Sequence, residues 1–453
     1  MVNAGDTAWV LASAALVMLM TPGLAFFYGG MVRSKSVLNM LMMNFVCLAV
    51  VGVLWALFGY SWAFGNDKFG GLVGSGEFAG LASTIGHFVG VGSASAPWPG
   101  SDALPATAFV MFQLMFAVIT PALISGSIAD RTKFWAWTAF VAGWVTLCYF
   151  PVAHWVFAFD GFTGADNIGG WIANTLKAED FAGGTAVHIN AGAAGLALAI
   201  VLGRRKGWPR ERMRPHNLPF VLLGASLLWF GWYGFNAGSA LGAGDLAGLA
   251  FTNTTLATCT AVIGWLLVEQ FRDGKPTTLG AASGAVAGLV AITPACGYVA
   301  PMGALAIGII AGALCALAVG LKYRFGFDDS LDVVGVHLVG GIVGTLLIGF
   351  FGDNDVNSAA LGDNGLFYGG GIVQLGRQAA AAGSVLVYSF VVATILGLVI
   401  KATIGFRVDE EDEVTGVDET EHAETAYDYS SLTTGSGSGG VGIPSTATRV
   451  ESP

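Results

Sequence analysis

The chain has 453 residues, 54% of them hydrophobic and only 11% charged, with a formal net charge of −10 at pH 7. Soluble globular proteins carry about 25% charged residues, so this composition excludes an ordinary soluble domain and indicates a polytopic membrane protein. The five cysteines fall in apolar stretches without metal-ligand spacing, which favours small buried side chains over a metal site. No nucleophile–base pair or phosphate-binding loop occurs. We therefore expect neither enzyme activity nor a cofactor, metal or nucleic-acid partner.

Apolar runs of about 20 residues, the length that a membrane-spanning helix requires, recur along the chain. They predict an all-α protein with eleven spans, at 7–31, 37–64, 105–129, 134–158, 183–203, 217–241, 247–270, 279–299, 302–322, 333–351 and 380–405. The first run begins near Ala8 without a preceding basic region, which predicts a retained span rather than a cleaved signal peptide. The 67 glycines favour a tight bundle, because small residues let helices approach closely in lipid.

Basic residues are distributed unevenly over the loops between the predicted spans. One set of loops contains Arg33, Lys35, Arg131, Lys133, Arg204, Arg205, Lys206, Arg210, Arg212, Arg214, Arg272, Lys275, Lys322 and Arg324. The other set contains only Lys68, Lys177 and Arg377. Because cytoplasmic loops carry the excess of lysine and arginine, the first set is predicted to be cytoplasmic. The N-terminus is then outside and the tail inside, as an odd number of spans requires.

Spans one to five and six to ten are predicted to form inverted repeats, because an odd repeat length reverses the second half in the membrane. Ile119-Thr120-Pro121-Ala122 in span three corresponds to Ile292-Thr293-Pro294-Ala295 in span eight. Substrate sites are expected near the midplane where the two halves of such a protein meet.

Two histidines, His188 and His337, occupy the same place in spans five and ten. Each lies eight residues after an aspartate (Asp180 and Asp329) and precedes glycines at the same spacing. An ionisable side chain midway across a membrane is costly and marks a functional path by default. Neutral imidazoles can hydrogen-bond to each other and present a donor or acceptor to a small polar solute. Simple core packing is the alternative interpretation; a metal site would need a third ligand, and the spans contain no suitable cluster.

Span six ends in an unusual mixture of aromatic and polar residues, Gly231-Trp232-Tyr233-Gly234-Phe235-Asn236-Ala237-Gly238-Ser239. Desolvated aromatic faces attract a small cation by about 2 kcal/mol or more. A serine hydroxyl can in addition accept a hydrogen bond from such a cation. The outer end of span six is therefore a candidate binding site for a small cation.

These motifs resemble the ammonium transporter family (Amt/Mep/Rh). The resemblance covers residues 7 to about 407 and rests on segments 28–30, 180–190, 231–239, 293–298 and 332–337, with a shorter similarity in the tail at 416–418 and 422–427. It implies an eleven-helix bundle of two inverted five-helix repeats plus a C-terminal helix. It also implies a homotrimer in the cell membrane, with one pore per subunit, that serves nitrogen uptake.

The resemblance further implies roles for individual side chains. An external vestibule would recruit ammonium with Phe116 and Ser239, supported by the carbonyl near Ala182 and by Asp180 as a structural or indirect electrostatic element. The stacked gate would consist of Phe116 and Phe235. The pore beyond it would be lined by His188, His337, Trp232 and Thr293.

One position departs from the family pattern. Members usually carry a tryptophan after the Pro-x-Ala-His segment of span four, where this chain has Phe157, with Trp155 two residues earlier. Phenylalanine is a weaker cation–π partner and has no N–H donor. Either Trp155 substitutes for the missing ring through a local shift, or the vestibule binds ammonium more weakly.

The implied mechanism is deprotonation followed by conduction of ammonia. Desolvation disfavours the cation in an apolar pore, so neutral ammonia would pass the phenylalanines and hydrogen-bond along the histidines. The proton either follows separately, which makes transport electrogenic, or stays behind. An alternative function is ammonium sensing, with a signal passed through the tail to a trimeric PII (GlnK-type) protein. The loop at 204–214 and the tail from Arg407 would form that surface.

The domain prediction separates a transmembrane channel domain, residues 1–406, from an acidic cytoplasmic tail, residues 407–453. The tail begins with the acidic run 409–413 and becomes rich in serine, threonine and glycine beyond about 430, where disorder is predicted. The acidic bias has two open interpretations, an ordinary acidic tail or adaptation to a high-salt cell.

Overall fold

The computed structural model describes residues 2–90, 104–211, 213–357 and 362–427. Within these ranges, ten helices are long and apolar enough to cross a membrane, and a shorter apolar helix takes the eighth position. They are α1 (Ala4–Met31), α2 (Val37–Phe64), α3 (Ala106–Ile128), α4 (Phe134–Phe157), α5 (Gly184–Leu202), α6 (Leu218–Gly238), α7 (Asp245–Asp273), α8 (Thr278–Ile292), α9 (Pro301–Phe325), α10 (Val334–Phe351) and α11 (Val373–Thr403). The predicted fold class, an all-helical multi-pass membrane protein, is confirmed. Arg212 and the segment predicted to be disordered lie outside the described residues.

Two helix boundaries differ from the sequence prediction. Helix α8 ends at Ile292 rather than near 299, because Pro294 lacks the N–H donor that would continue the helical hydrogen bonds. Helix α11 begins at Val373 rather than near 380, since its first turns are polar and escape a hydropathy criterion. Outside the helices, the two-residue strands β1 (Phe88–Val89) and β2 (Leu104–Pro105) pair antiparallel.

The first helices of the two halves, α1 and α6, pack against each other along their lengths. At one end the carboxylate of Asp6 accepts a hydrogen bond from the backbone N–H of Ala243, at 2.8 Å. At the other end the carbonyl of Gly30 accepts one from the N–H of Asn217, at 3.1 Å. These two corresponding helices therefore run antiparallel, as expected for an inverted repeat.

A buried ion network closes the end of the bundle at which α3 and α5 finish and α10 starts. Arg205 contacts Asp328 at 2.9 Å and Asp130 at 3.1 Å. Burial raises the pKa of Asp328, but the hydrogen bonds and charge of Arg205 outweigh it and hold that pKa below its ordinary value. A paired carboxylate and guanidinium tolerate burial that neither would tolerate alone. We call this end of the molecule the tail end.

The acidic segment after α11 folds back onto the tail end as two short helices, α12 (Glu410–Thr415) and α13 (Val417–His422). Glu413 is fully buried and accepts hydrogen bonds from the side chain of Arg407 and the backbone N–H of Lys206, both at 2.6 Å. The tail is thus packed against the loop that follows α5, because its carboxylates find donors there.

The tail also supplies a missing helix cap. Ser36 precedes α2 but makes no side-chain capping bond, and the carboxylate of Asp418 instead accepts the N–H groups of Leu38 and Asn39 at 3.0 and 2.8 Å. Loss of an N-terminal cap costs about 0.5–2 kcal/mol.

Asp418→Ala is expected to release the tail from the bundle, because the two N–H groups of α2 lose their acceptor. Limited proteolysis should then cleave the tail several times faster than in the unmodified protein. Glu419→Ala, at the exposed neighbouring position, is the matched control and should leave the cleavage rate unchanged. Equal rates for the two variants would contradict the capping role.

Candidate functional site

The two histidines meet in the interior of the bundle. Helices α5 and α10 both start with a π-helical turn, Gly184–Ile189 and Val334–Leu338, and each turn carries its histidine in the last positions. The rings of His188 and His337 lie 5.4 Å apart at 25°, with their Nδ1 atoms 3.4 Å apart. Both side chains are buried. A hydrogen bond between these atoms requires one ring to donate and the other to accept.

Glycines explain how the two rings come so close. A Cβ on Gly192, one turn after His188, would lie 2.5 Å from the backbone nitrogen of Leu338. A Cβ on Gly341, one turn after His337, would lie 3.1 Å from the Cβ of His188 and from the carbonyl of Gly184. The shared glycine spacing in the sequence therefore reflects direct contact between the two histidine-bearing helices.

Asp180 anchors the start of α5. Its carboxylate accepts hydrogen bonds from the N–H groups of Gly183, Gly184 and Thr185 and from the Thr185 hydroxyl, at 2.5–2.7 Å. Burial raises the pKa of Asp180, although these hydrogen bonds oppose the shift. The side chain thus fixes the turn that leads to His188, and its contacts are those of a structural anchor.

Asp329 does the same for α10 at the tail end. Its carboxylate accepts the N–H groups of Val333 and Val334 at 3.2 and 2.7 Å. Burial raises the pKa of Asp329 to about 6, with the charge of Lys322 acting in the opposite direction. The aspartates that precede the two histidines by eight residues are therefore equivalent anchors of equivalent helices.

A continuous file of aromatic rings leads from one end of the bundle to the histidines. Phe157 lies 6.4 Å from Phe116, which stacks on Phe235 at 4.3 Å and 29°. The ring of Phe235 lies 6.1 Å from that of His188, which continues to His337. The sequence prediction had named these five residues, and the fold brings them into one line.

A small cavity opens at the outer end of this file. It is lined by Ser239 together with Phe109, Gln113, Phe157, Phe159, Phe162, Phe181 and Leu241. The hydroxyl of Ser239 donates to the carbonyl of Phe235 at 2.8 Å, so its oxygen lone pairs remain available as acceptors. Ala182 is fully buried next to Phe181. We call this space the outer cavity.

Trp155 does not reach the outer cavity. Its indole nitrogen donates to the carbonyl of Leu72 at 2.8 Å, and its ring packs on Trp171 and Tyr388 at 5.9 and 4.8 Å. Of the two alternatives, substitution by Trp155 for the missing tryptophan is contradicted by this geometry. On a helix, residues two apart point in different directions, so α4 presents Phe157 inward and Trp155 towards α11.

A second cavity surrounds the histidines. Apart from the two imidazoles and the Trp232 indole, its walls are apolar, with Met20, Leu24, Ile119, Leu123, Val187, Leu228, Phe235 and Val286. The Trp232 ring stacks on His188 at 5.5 Å, and its N–H donates to the Thr293 hydroxyl at 2.8 Å. Within the described part of the chain, the Nε2 atom of His188 is buried without a hydrogen-bond partner. That atom is free to bond to a small solute.

The family model of the Ammonium Transporter Family matches residues 8–427. The chain belongs to the ammonium transporter family. The ammonium transporter of Mycobacterium bovis is 63% identical to it over 436 residues, which cover 94% of this chain and 91% of that protein. The ammonium transporter of Bacillus subtilis is 47% identical, over 93% of this chain and 98% of that protein.

Solved structures of the family have the same fold. Saccharomyces cerevisiae Mep2 superposes with a TM-score of 0.80 at 34% identity, over 90% of this chain and 88% of that one. A structure described as a Sensor Amt Protein superposes with a TM-score of 0.81 at 29% identity, over 92% and 98% of the two chains. The curated relatives of this chain are named as transporters. The expectation that the chain is not an enzyme is therefore confirmed.

Most of the residues that line the outer cavity were not predicted from the sequence. Gln113 was detectable, because it carries the only side-chain amide of an apolar span and lies three positions before Phe116, hence on the same helix face. Phe159, Phe162 and Phe181 lie in the connection between α4 and α5, where no periodicity indicates which side chains face inward.

Proposed function

We propose that the chain is an ammonium transporter of the cell membrane that conducts ammonia past a pair of stacked phenylalanines and a pair of histidines. The observation that carries this proposal is the unbroken file of rings from the outer cavity through Phe116 and Phe235 to His188 and His337. An apolar path that contains hydrogen-bonding nitrogens suits a small neutral solute with its own N–H groups.

Recruitment takes place at the outer cavity. Ammonium exchanges part of its water for the faces of Phe116 and Phe157 and for the oxygen of Ser239, with the carbonyl near Ala182 and the anchored Asp180 shaping that end. Cation–π contacts contribute about 0.5–1 kcal/mol each at exposed sites and more when desolvated. This assignment is supported by the presence of Ser239 and Phe157 in the walls of one cavity.

Deprotonation precedes passage, because a cation in the apolar second cavity would lose its hydration without compensation. Ammonia then passes Phe116 and Phe235 and exchanges hydrogen bonds with His188 and His337. Trp232 lines the path, and Thr293 holds the Trp232 indole in place. Potassium has no proton to lose and no hydrogen bond to donate, so the same path excludes it.

The proposal is tested with purified protein in liposomes, where ammonium flux and membrane current are recorded together. Saturable flux that potassium does not share is the expected result, and its absence in correctly folded protein would overturn the proposal. Flux with current would assign separate proton transfer along the pore, whereas flux without current and with alkalinisation inside would assign neutral ammonia conduction.

Phe157→Trp is expected to lower the half-saturating ammonium concentration about fivefold, because an indole ring strengthens the cation site by about 1 kcal/mol. The measurement is the concentration dependence of flux in liposomes. Trp155→Phe is the matched control and should leave that concentration unchanged, since Trp155 packs against Trp171 and Tyr388 away from the outer cavity. A shift caused by the control alone would reverse the assignment.

The assembly is proposed to be a homotrimer with one pore per subunit, the N-terminus outside and the tail end in the cytoplasm. Residues 1–406 would form the channel domain and residues 407–453 the cytoplasmic tail. The concentration of basic loop residues at the tail end supports this orientation. Cysteine labelling from either side of intact vesicles tests the orientation. The mass of the protein in native detergent complexes tests the homotrimer.

A second candidate function is ammonium sensing through the tail. It is favoured by the packing of Glu413 against Arg407 and Lys206, which ties the tail to the end of α5, and by the similarity to the Sensor Amt Protein. A trimeric PII (GlnK-type) protein would read this surface. Ammonium-dependent PII binding combined with negligible flux would favour sensing over transport.

A further inference from the structure

The segment that carries Asp180 is held by the start of α11. The fully buried amide of Gln378 accepts a hydrogen bond from the backbone N–H of Glu179 and donates one to the Glu179 carbonyl, both at 2.7 Å. The same amide nitrogen donates to the carbonyl of Thr345 in α10, at 3.1 Å. One side chain of α11 therefore connects the segment before α5 to α10, the two helices that bear the histidines.

A second glutamine supports the first. Gln374, also fully buried, donates to the side-chain oxygen of Gln378 at 3.0 Å and to the carbonyl of Lys177 at 3.4 Å. Its own oxygen accepts the N–H of Asp363 at 3.1 Å. Because the amide of Gln378 bonds only to backbone groups and to Gln374 among the described residues, it is held in a single orientation.

The carboxyl group of Glu179 is buried beside this pair. Among the described residues, its side chain accepts a hydrogen bond from the N–H of Gly362, at 3.2 Å. The charged or titratable groups around it are Arg377 on α11, Asp363 before α11, Tyr298 after α8 and its neighbour Asp180. Arg377 is itself paired with Asp363 at 2.9 Å, so it offers Glu179 little net charge.

The balance of these effects favours the protonated acid at neutral pH. Burial is the largest effect and raises the pKa of Glu179. Together with the charge of Asp363 it outweighs the Gly362 N–H and Arg377, which lower the pKa, so that the pKa is about 8. A neutral carboxyl tolerates this site, whereas an ionised one needs water or a counter-ion that its described neighbours do not provide.

We propose that Glu179 and Gln378 form a clasp that positions Asp180 for ammonium recruitment, and that the clasp holds only while the Glu179 side chain is protonated. The inference rests on the function proposed above and adds a positioning residue to it. Ionised Glu179 moves towards water and takes the adjacent Asp180 with it. The N–H groups of Gly183, Gly184 and Thr185 then lose their common acceptor, and the start of α5 loosens.

The test compares wild type with Glu179→Gln, which imitates the neutral acid, for flux in liposomes at pH 6.5 and pH 9. The two should be equal at pH 6.5, and wild type should be about tenfold slower at pH 9, where about 90% of an acid with a pKa near 8 is ionised. Because the two proteins are compared at the same pH, the pH dependence of the ammonia concentration does not affect the ratio of their fluxes. Asp166→Asn, at an exposed position of the connection between α4 and α5, is the control and should show the same pH dependence of flux as wild type.

A double-mutant cycle tests the connection to α11. In a Gln378→Met background the clasp is already open, so Glu179→Gln should give no advantage at pH 9. Persistence of the tenfold advantage in that background would overturn the role of Gln378. Parallel pH profiles of wild type and Glu179→Gln would overturn the clasp while leaving transport itself intact.

Thermal unfolding in detergent separates this inference from the proposed function. Folded Glu179 keeps a proton that the unfolded chain releases near pH 4.5, so this group stabilises the fold fully at low pH. The unfolding temperature of wild type, relative to Glu179→Gln, should fall as the pH rises towards about 8 and then level off. If the unfolding temperature shows this pH dependence but no ammonium flux is measured, transport is overturned and the clasp is retained. Parallel unfolding temperatures would overturn the clasp.

Discussion

Replacing both buried histidines, in His188→Ala/His337→Ala, is expected to abolish selective ammonium flux in liposomes. The walls of the second cavity are otherwise apolar apart from the Trp232 indole, so ammonia would lose its hydrogen-bonding partners there. An unmade hydrogen bond in an apolar site costs about 1–3 kcal/mol, and the loss of two corresponds to a decrease in flux of about 30-fold or more. The measurement is ammonium uptake recorded together with potassium leak.

The control for this experiment is His216→Ala, which removes a histidine at the tail end. His216 lies within hydrogen-bonding distance of the carbonyl of Val32 and the hydroxyl of Tyr427, at 2.9 and 2.8 Å, and does not line the second cavity. It should retain both flux and selectivity. Flux and ion discrimination like those of wild type in the double variant would contradict conduction along the histidine pair.

Gly344→Ala is expected to destabilise the whole bundle. A Cβ at this position of α10 would lie 2.0 Å from the carbonyl oxygen of Ala291 in α8, and a backbone atom in a packed helix cannot move aside cheaply. Overpacking of this kind costs about 1–3 kcal/mol. The unfolding temperature in detergent and the yield of folded protein should both fall, because α8 and α10 can no longer approach closely.

Gly383→Ala in α11 is the matched control, since a Cβ at that glycine would meet nothing within 4 Å. Alanine favours a helix over glycine by about 1 kcal/mol, so the control should be neutral or slightly stabilising. Equal losses in both variants would show that the effect comes from glycine replacement in general and not from the contact between α8 and α10.

Much of the architecture could be read from the sequence because it depends on local composition. Uninterrupted apolar length predicted nine of the eleven helices closely, since a span is a property of consecutive residues. The exceptions are α8, which ends before Pro294 although the apolar run continues, and α11, whose first turns are polar and give no hydropathy signal. The inverted repeat was also visible, because the same helix-to-helix contacts require the same small and polar residues in both halves.

Residues brought together by loops or by a helix outside the repeat were much harder to predict. Glu179 and Gln378 are separated by 199 residues along the chain, and neither belongs to a repeated motif. Likewise, hydropathy identified α4 as a span but did not indicate which of Trp155 and Phe157 faces the outer cavity. That choice depends on the rotation of α4 against α11, to which Trp155 turns.

By itself, the sequence determined that this is a polytopic helical membrane protein of two similar halves, with a histidine at the equivalent buried place in each. Hydropathy and repeated spacing suffice for that, because both are recorded in consecutive residues. Only the tertiary structure decided that the Nδ1 atoms of the two rings lie 3.4 Å apart, that Phe157 rather than Trp155 lines the outer cavity, and that α11 holds the segment of Asp180. Those facts depend on how helices distant in the chain rotate and pack, which is set by the shapes of facing side chains and not by any local pattern.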